Sequence, residues 1–123
     1  MMIEPRVMIV EPSLFLQHLI KKNLQSLDML ASHIYTCGSK VLENANDDFD
    51  MILIDYNLPD MTGTELAQKI LHRNIYTRIV LLLPESLSRE SQEFIAQGVQ
   101  ATLVKPFYAE SIQRVLIETI TNV

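Results

Sequence analysis

The chain is short of cysteine, of basic charge and of long apolar runs, and each shortage narrows what it can be. Cys37 is the one cysteine in 123 residues, so it has no partner for an internal bridge and no CxxC neighbour. That composition suits a reducing, cytoplasmic setting, with Cys37 packed near a strand end rather than reactive. Ten Lys and Arg stand against fifteen Asp and Glu, a net charge of −5, which argues against a nucleic-acid surface. The longest apolar run, Ile79 to Pro84, is strand-sized, and no stretch approaches the length that spans a bilayer. The start, Met1-Met2-Ile3-Glu4-Pro5-Arg6, lacks the charged end and apolar core of a signal peptide. There is no repeat, low-complexity tract or linker, and no Gly-rich phosphate loop or nucleophile elbow. His18, His33 and His72 are scattered without ligand spacing.

What is present is an ordinary globular composition, 48% apolar and 20% charged, in a length that makes one domain with a real core. Val7-Met8-Ile9-Val10 reads as a strand buried on both faces. Pro12, placed in a first helical turn where its missing N–H costs nothing, and Ser13 open a helix. Phe15, Leu16, Leu19, Ile20, Leu24 and Leu27 recur along it at helical spacing. Ile34-Tyr35-Thr36 predicts a second strand, punctuated by Gly38. From 39 to 48 the sequence supports a short helix at best, with the stripe Val41-Leu42-Ala45, and Asn44 to Asp48 reads as a solvated loop. Met51 to Asp55 is a third strand, and Thr64 to Arg73 a helix with Leu66, Ile70 and Leu71 inward. Arg78 to Leu83 is a fourth strand, stopped by Pro84.

Ser88 is expected to cap the next helix, with Phe94 and Ile95 inward and Gly98 at its end. Ala101 to Val104 is a fifth strand, Lys105-Pro106-Phe107 a turn, and Ala109 to Thr121 a last amphipathic helix. Five strands alternating with five helices predict a doubly wound α/β fold, a five-stranded parallel sheet with helices on both faces. The domain covers 1–123, either standing alone or cut from a longer chain.

Chemistry in such sheets gathers at the carboxyl ends of the strands. Those ends bring Glu11-Pro12, Asp55, Leu83-Pro84 and Lys105-Pro106 together. Two carboxylates and an ammonium on one rim suit a hard cation such as Mg²⁺, which takes one or two carboxylates and keeps its waters. A carboxylate beside such a cation can attack a phosphoryl group while a lysine neutralises its oxygens. Plainer readings exist for each: Asp55 as a turn cap, Glu11 as an exposed strand-end acid, Lys105 as a solvated lysine.

The element order, the acid after the first strand, the segment Ile54-Asp55-Tyr56-Asn57-Leu58-Pro59-Asp60-Met61-Thr62-Gly63 and the turn Val104-Lys105-Pro106-Phe107 together resemble the receiver domain of response regulators. The resemblance spans nearly the whole chain and implies a flavodoxin-like fold working in two-component phosphorelay signalling. It implies Asp55 as phosphoacceptor, Lys105 as active-site lysine and a cis Lys105–Pro106 bond. It further implies Mg²⁺ held by Glu11, Asp55 and the Asn57 backbone carbonyl. The partners it implies are a histidine kinase or phosphotransfer protein and a downstream protein on the face of the fourth helix, fifth strand and last helix, with neither nucleic acid nor membrane.

Three departures qualify this. The second acid after the first strand is replaced by Pro12, the hydroxyl residue ending the fourth strand by Leu83, and the aromatic of the fifth strand by Thr102. Loss of one hydrogen bond to a charged phosphoryl group costs roughly 1.5–3 kcal/mol. Two functions stay open: a receiver accepting phosphate on Asp55 with reduced Mg²⁺ support, or a phosphorylation-independent interaction module. An Asp-nucleophile phosphatase would want an acid at position 57, which is Asn, so an enzyme is not expected.

Overall fold

The computed structural model describes residues 5–44 and 49–121, so Ala45 to Asp48 of the expected polar loop lie outside the described residues. The strands are β1 (Val7–Val10), β2 (Ala31–Tyr35), β3 (Met51–Asp55), β4 (Arg78–Leu83) and β5 (Ala101–Val104). Between and after them run α1 (Leu14–Ser26), α2 (Gly38–Asn44), α3 (Gly63–Arg73), α4 (Ser91–Ala96) and α5 (Ala109–Thr121). All strand pairs are parallel, in the order β2-β1-β3-β4-β5. The order reverses between β1 and β3, which opens a crevice outside their carboxyl ends. Among the described residues no helix is long and apolar enough to cross a membrane.

Period-two alternation divides the core into two layers. Val7, Ile9, Met51, Leu53, Val80, Leu82 and Leu103 face Ile20 and Leu24 of α1 and Ile112 and Leu116 of α5. Met8, Val10, Ile52, Ile54, Ile79, Leu81 and Leu83 face Val41 of α2 and Leu66, Ala67 and Ile70 of α3. Strands covered on both faces must be apolar at every position, which is why they read as unbroken runs.

Several expectations shift at element ends. Pro12 is not in the first turn of α1. Ser13 is the cap, its hydroxyl accepting from the Leu16 N–H at 3.3 Å, which leaves Pro12 outside the helix. Starting at Leu14 turns Phe15 outward, 67% exposed, and puts Gln17 and Asn23 on the buried face. Strand β2 runs Ala31–Tyr35, starting three residues before the expected Ile34 and ending one before Thr36, and Gly38 opens α2. Ser88 caps nothing: Glu85–Glu90 winds as a 3₁₀ turn after Pro84, and α4 follows from Glu90 without a side-chain cap. A helix of six residues has room for one inward anchor. Phe94 takes it, meeting the Tyr56 ring edge-on at 5.9 Å, while Ile95 stays 38% exposed.

Candidate functional site at the carboxyl rim of the sheet

Parity brings the site together. Glu11 is two residues beyond Ile9, Asp55 two beyond Leu53 and Lys105 two beyond Leu103, and those three share the α1–α5 side of the sheet. Val10 pairs with Ile54, so Glu11 and Asp55 leave adjacent strands at the same level. Lys105 leaves β5, two strand spacings or about 9–10 Å from β3. A long flexible stem ending in a cation is what crosses that gap.

The crossing is made. Lys105 Nζ donates to Asp55 Oδ2 at 2.9 Å and lies 3.3 Å from Glu11 Oε1. Both carboxylates are buried, Glu11 at 1% and Asp55 at 4% exposure, while the lysine side chain keeps 27%. The Lys105–Pro106 bond is cis, as expected. The Asn57 N–H donates to Asp55 Oδ1 at 3.1 Å, and an isolated bridge to Thr62 closes the loop that carries Asn57.

Glu11 is not the exposed acid of the plainer reading. Its N–H donates to the Tyr35 carbonyl at 2.9 Å, its carbonyl accepts from Gln17 Nε2 at 2.7 Å, and its Oε2 accepts from the Ser13 N–H at 3.0 Å. Burial is the largest cause pushing its carboxyl from 4.5 to about 7; the Ser13 amide opposes the rise, the Asp55 carboxylate adds to it and Lys105 lowers it. Oε1 has no hydrogen-bond partner, because the 3.3 Å approach of Lys105 is a charge contact without hydrogen-bond alignment.

Sequence reasoning missed the residues that hold these groups. Gln17, a polar residue on a buried helical stripe, was the one visible signal. Gly63 lies against the Asp55 backbone: a Cβ there would meet the Asp55 carbonyl oxygen and come within 2.9 Å of the Tyr56 Cα. Asp60 accepts from the Gly38 and Ser39 N–H groups at 2.9 and 2.8 Å, and those amides hold its carboxyl below its usual value. Nothing local in the sequence identifies its partners.

The departures are structural as well. Pro12 is exposed and offers no side-chain oxygen, and Leu83 is fully buried on the α2–α3 side. The Thr102 hydroxyl is hydrogen-bonded to that of Ser91 on α4. Among the described residues no group of three His, Cys, Asp or Glu could hold a metal. The rim offers oxygen ligands only, and both carboxylates are already paired with Lys105, which suits at most a weakly held hard cation.

Residues 7–117 match the family described as response regulator receiver domain. The transcriptional regulatory protein CutR of Streptomyces coelicolor is 29% identical over 112 residues, covering 89% of this chain and 51% of its own. The chain therefore spans about half the length of that relative. The chemotaxis protein CheY1 of Helicobacter pylori is 27% identical over 117 residues, covering 90% of this chain and 93% of its own. Among solved structures, the chemotaxis response regulator CheY4 of Vibrio cholerae superimposes with a TM-score of 0.83 at 28% identity, covering 95% of this chain and 99% of that one.

Proposed function

This chain belongs to the response regulator receiver domain family, a family of signalling modules rather than enzymes, and from that membership we propose that Asp55 accepts a phosphoryl group in a two-component relay. The donor is a histidine kinase or phosphotransfer protein. The observation that carries the reading is Lys105 Nζ at 2.9 Å from Asp55 Oδ2, with Glu11 beside both, at the mouth of the β1/β3 crevice. An Asp55 oxygen attacks phosphorus as the donor's N–P bond breaks, and the imidazole leaves with the bonding pair. Lys105 then turns from the carboxylate to the transferred oxygens. Glu11, Asp55 and the Asn57 backbone carbonyl would hold Mg²⁺, which when bound neutralises charge on the phosphoryl oxygens.

The support is thinner than two acids and a hydroxyl would give. Pro12 supplies no ligand, and Leu83 supplies no hydrogen bond, a loss of roughly 1.5–3 kcal/mol toward the phosphoryl group. The reaction is slowed rather than abolished. A hollow of about 660 Å³ beside Lys105, lined by Phe15, Leu16, Pro106, Phe107 and Tyr108, gives the donor an apolar landing. The downstream partner is assigned to the α4–β5–α5 face, where Ile95 and Ile117 are exposed.

The buried Leu83 and the Ser91–Thr102 pair favour a second reading, a phosphorylation-independent interaction module. Intact mass after incubation with acetyl phosphate and Mg²⁺ separates the two. The phosphoacceptor reading expects an acid-labile gain of one phosphoryl group in the parent chain and none in Asp55→Asn. No gain in the parent, together with no Mg²⁺ binding in a titration, establishes the second reading.

A further inference from the structure

We propose that Asp60 is a positioning residue for the Asp55 site: by clamping the start of α2, it fixes the loop whose Asn57 peptide lies against the phosphoacceptor. The inference rests on the phosphoacceptor reading for its functional consequence, but its geometry stands without it.

The loop from Tyr56 to Thr62 is closed at its base, where Asn57 bridges Thr62 and the Gly63 N–H donates to the Tyr56 carbonyl at 2.7 Å. Beyond that closure the tip is held by Leu58 and Met61, which pack against the α2–α3 side of the core, and by the polar contacts of Asp60. The tip's backbone makes no bond of its own to the sheet among those described. Asp60 supplies the anchor with both carboxylate oxygens, one on the Gly38 N–H and one on the Ser39 N–H. These are first-turn amides of α2, which no intrahelical carbonyl can satisfy. The adjacent Met61 reinforces the junction, its thioether lying where a side chain on Gly38 would begin. Two charge-assisted bonds and a packed side chain therefore join the tip to a second helix.

At the other end of this short lever sits the site. The Asn57 N–H reaches Asp55 Oδ1 at 3.1 Å, and the carbonyl assigned to the cation belongs to the same residue. A loop free at its tip would carry that peptide through a range of orientations. Small misplacements of a positioning group cost rate out of proportion to their size. Asp60 touches neither the reacting carboxylate nor the lysine, so it acts through Asn57.

The test compares the parent chain with Asp60→Ala, Asp60→Asn and the control Asp50→Ala. The control removes a comparable bond, Asp50 Oδ2 to the Arg6 N–H at 2.7 Å, beside the amino ends of β1 and β3. Amide exchange at Asn57 is read by NMR under conditions where every variant is folded, and the acetyl phosphate adduct rate is read at saturating donor. We expect Asp60→Ala to speed Asn57 exchange and slow adduct formation, each about tenfold. Asp60→Asn, which retains one oxygen acceptor, should fall between, and Asp50→Ala should leave both unchanged. If Asp60→Ala fails to fold, Asp60→Asn against the control carries the comparison. Asn57 exchange equal to the parent's in the Asp60 variants overturns the proposal. A parent chain that forms no adduct, with exchange still accelerated in the variants, sinks the phosphoacceptor reading and leaves the clamp standing.

Discussion

Glu11 holds its proton more tightly in the fold, at about 7, than in the unfolded chain, near 4.5. Between those values the folded state carries the extra proton, so this group's contribution to stability is complete below 4.5 and declines as pH rises through 7. Asp60 has the opposite sign. Its folded value is depressed, so its contribution is present above the ordinary 3.8 and lost as pH falls through the folded value. Glu11→Gln should therefore gain stability over the parent chain near pH 8 and lose that advantage by about pH 5. Urea midpoints at the two pH values check this, and an advantage that does not change with pH contradicts it. Asp55 and Lys105 were legible because each follows an apolar run that fixes both its strand and its parity. The burial of Glu11 was not, since it depends on Tyr35 and Gln17, which only the fold brings to it.

Among the elements, β1, β3 and β4 were the readable part, because burial on both faces writes them as near-continuous apolar runs. The edge strand β2, Ala31-Ser32-His33-Ile34-Tyr35, carries no such run. The segment after β4 was not readable. A capped helix and a 3₁₀ turn share the same polar composition, and Ser88 looks like a cap without acting as one. The end of β4 is also where the site departs most. Leu83 is fully buried in the core, so Leu83→Thr should cost about 2 kcal/mol of stability. Combined with Pro12→Asp it should still raise the adduct rate about tenfold, by returning a hydroxyl and a second acid. A double variant that is folded but no faster would mean the rim is misbuilt for another reason. At the start of α3, Gly63→Ala forces a methyl group into the Asp55 backbone and should cost about 1–3 kcal/mol in urea unfolding. A neutral result there would show that the loop yields easily.

Across the whole molecule, the strand order β2-β1-β3-β4-β5 is what makes a site out of residues 44 and 50 positions apart. Alternation of strands and helices predicted the two-sided parallel sheet, and the reversal between β1 and β3 gave the crevice its place. The clamp from Asp60 to α2 was invisible at this scale, because contacts between neighbouring loops leave no periodic trace in a sequence. The central claim is that Glu11, Asp55 and Lys105 form one hollow shaped for a phosphoryl group on Asp55. Beryllofluoride, a non-covalent stand-in for that group, tests it without a kinase. Fluorine NMR of the parent chain with beryllofluoride and Mg²⁺ should show protein-bound resonances, with amide shifts centred on Asp55, Asn57 and Lys105, all lost in Asp55→Asn. Free beryllofluoride signals alone at saturating Mg²⁺, or bound signals that survive Asp55→Asn, would contradict it.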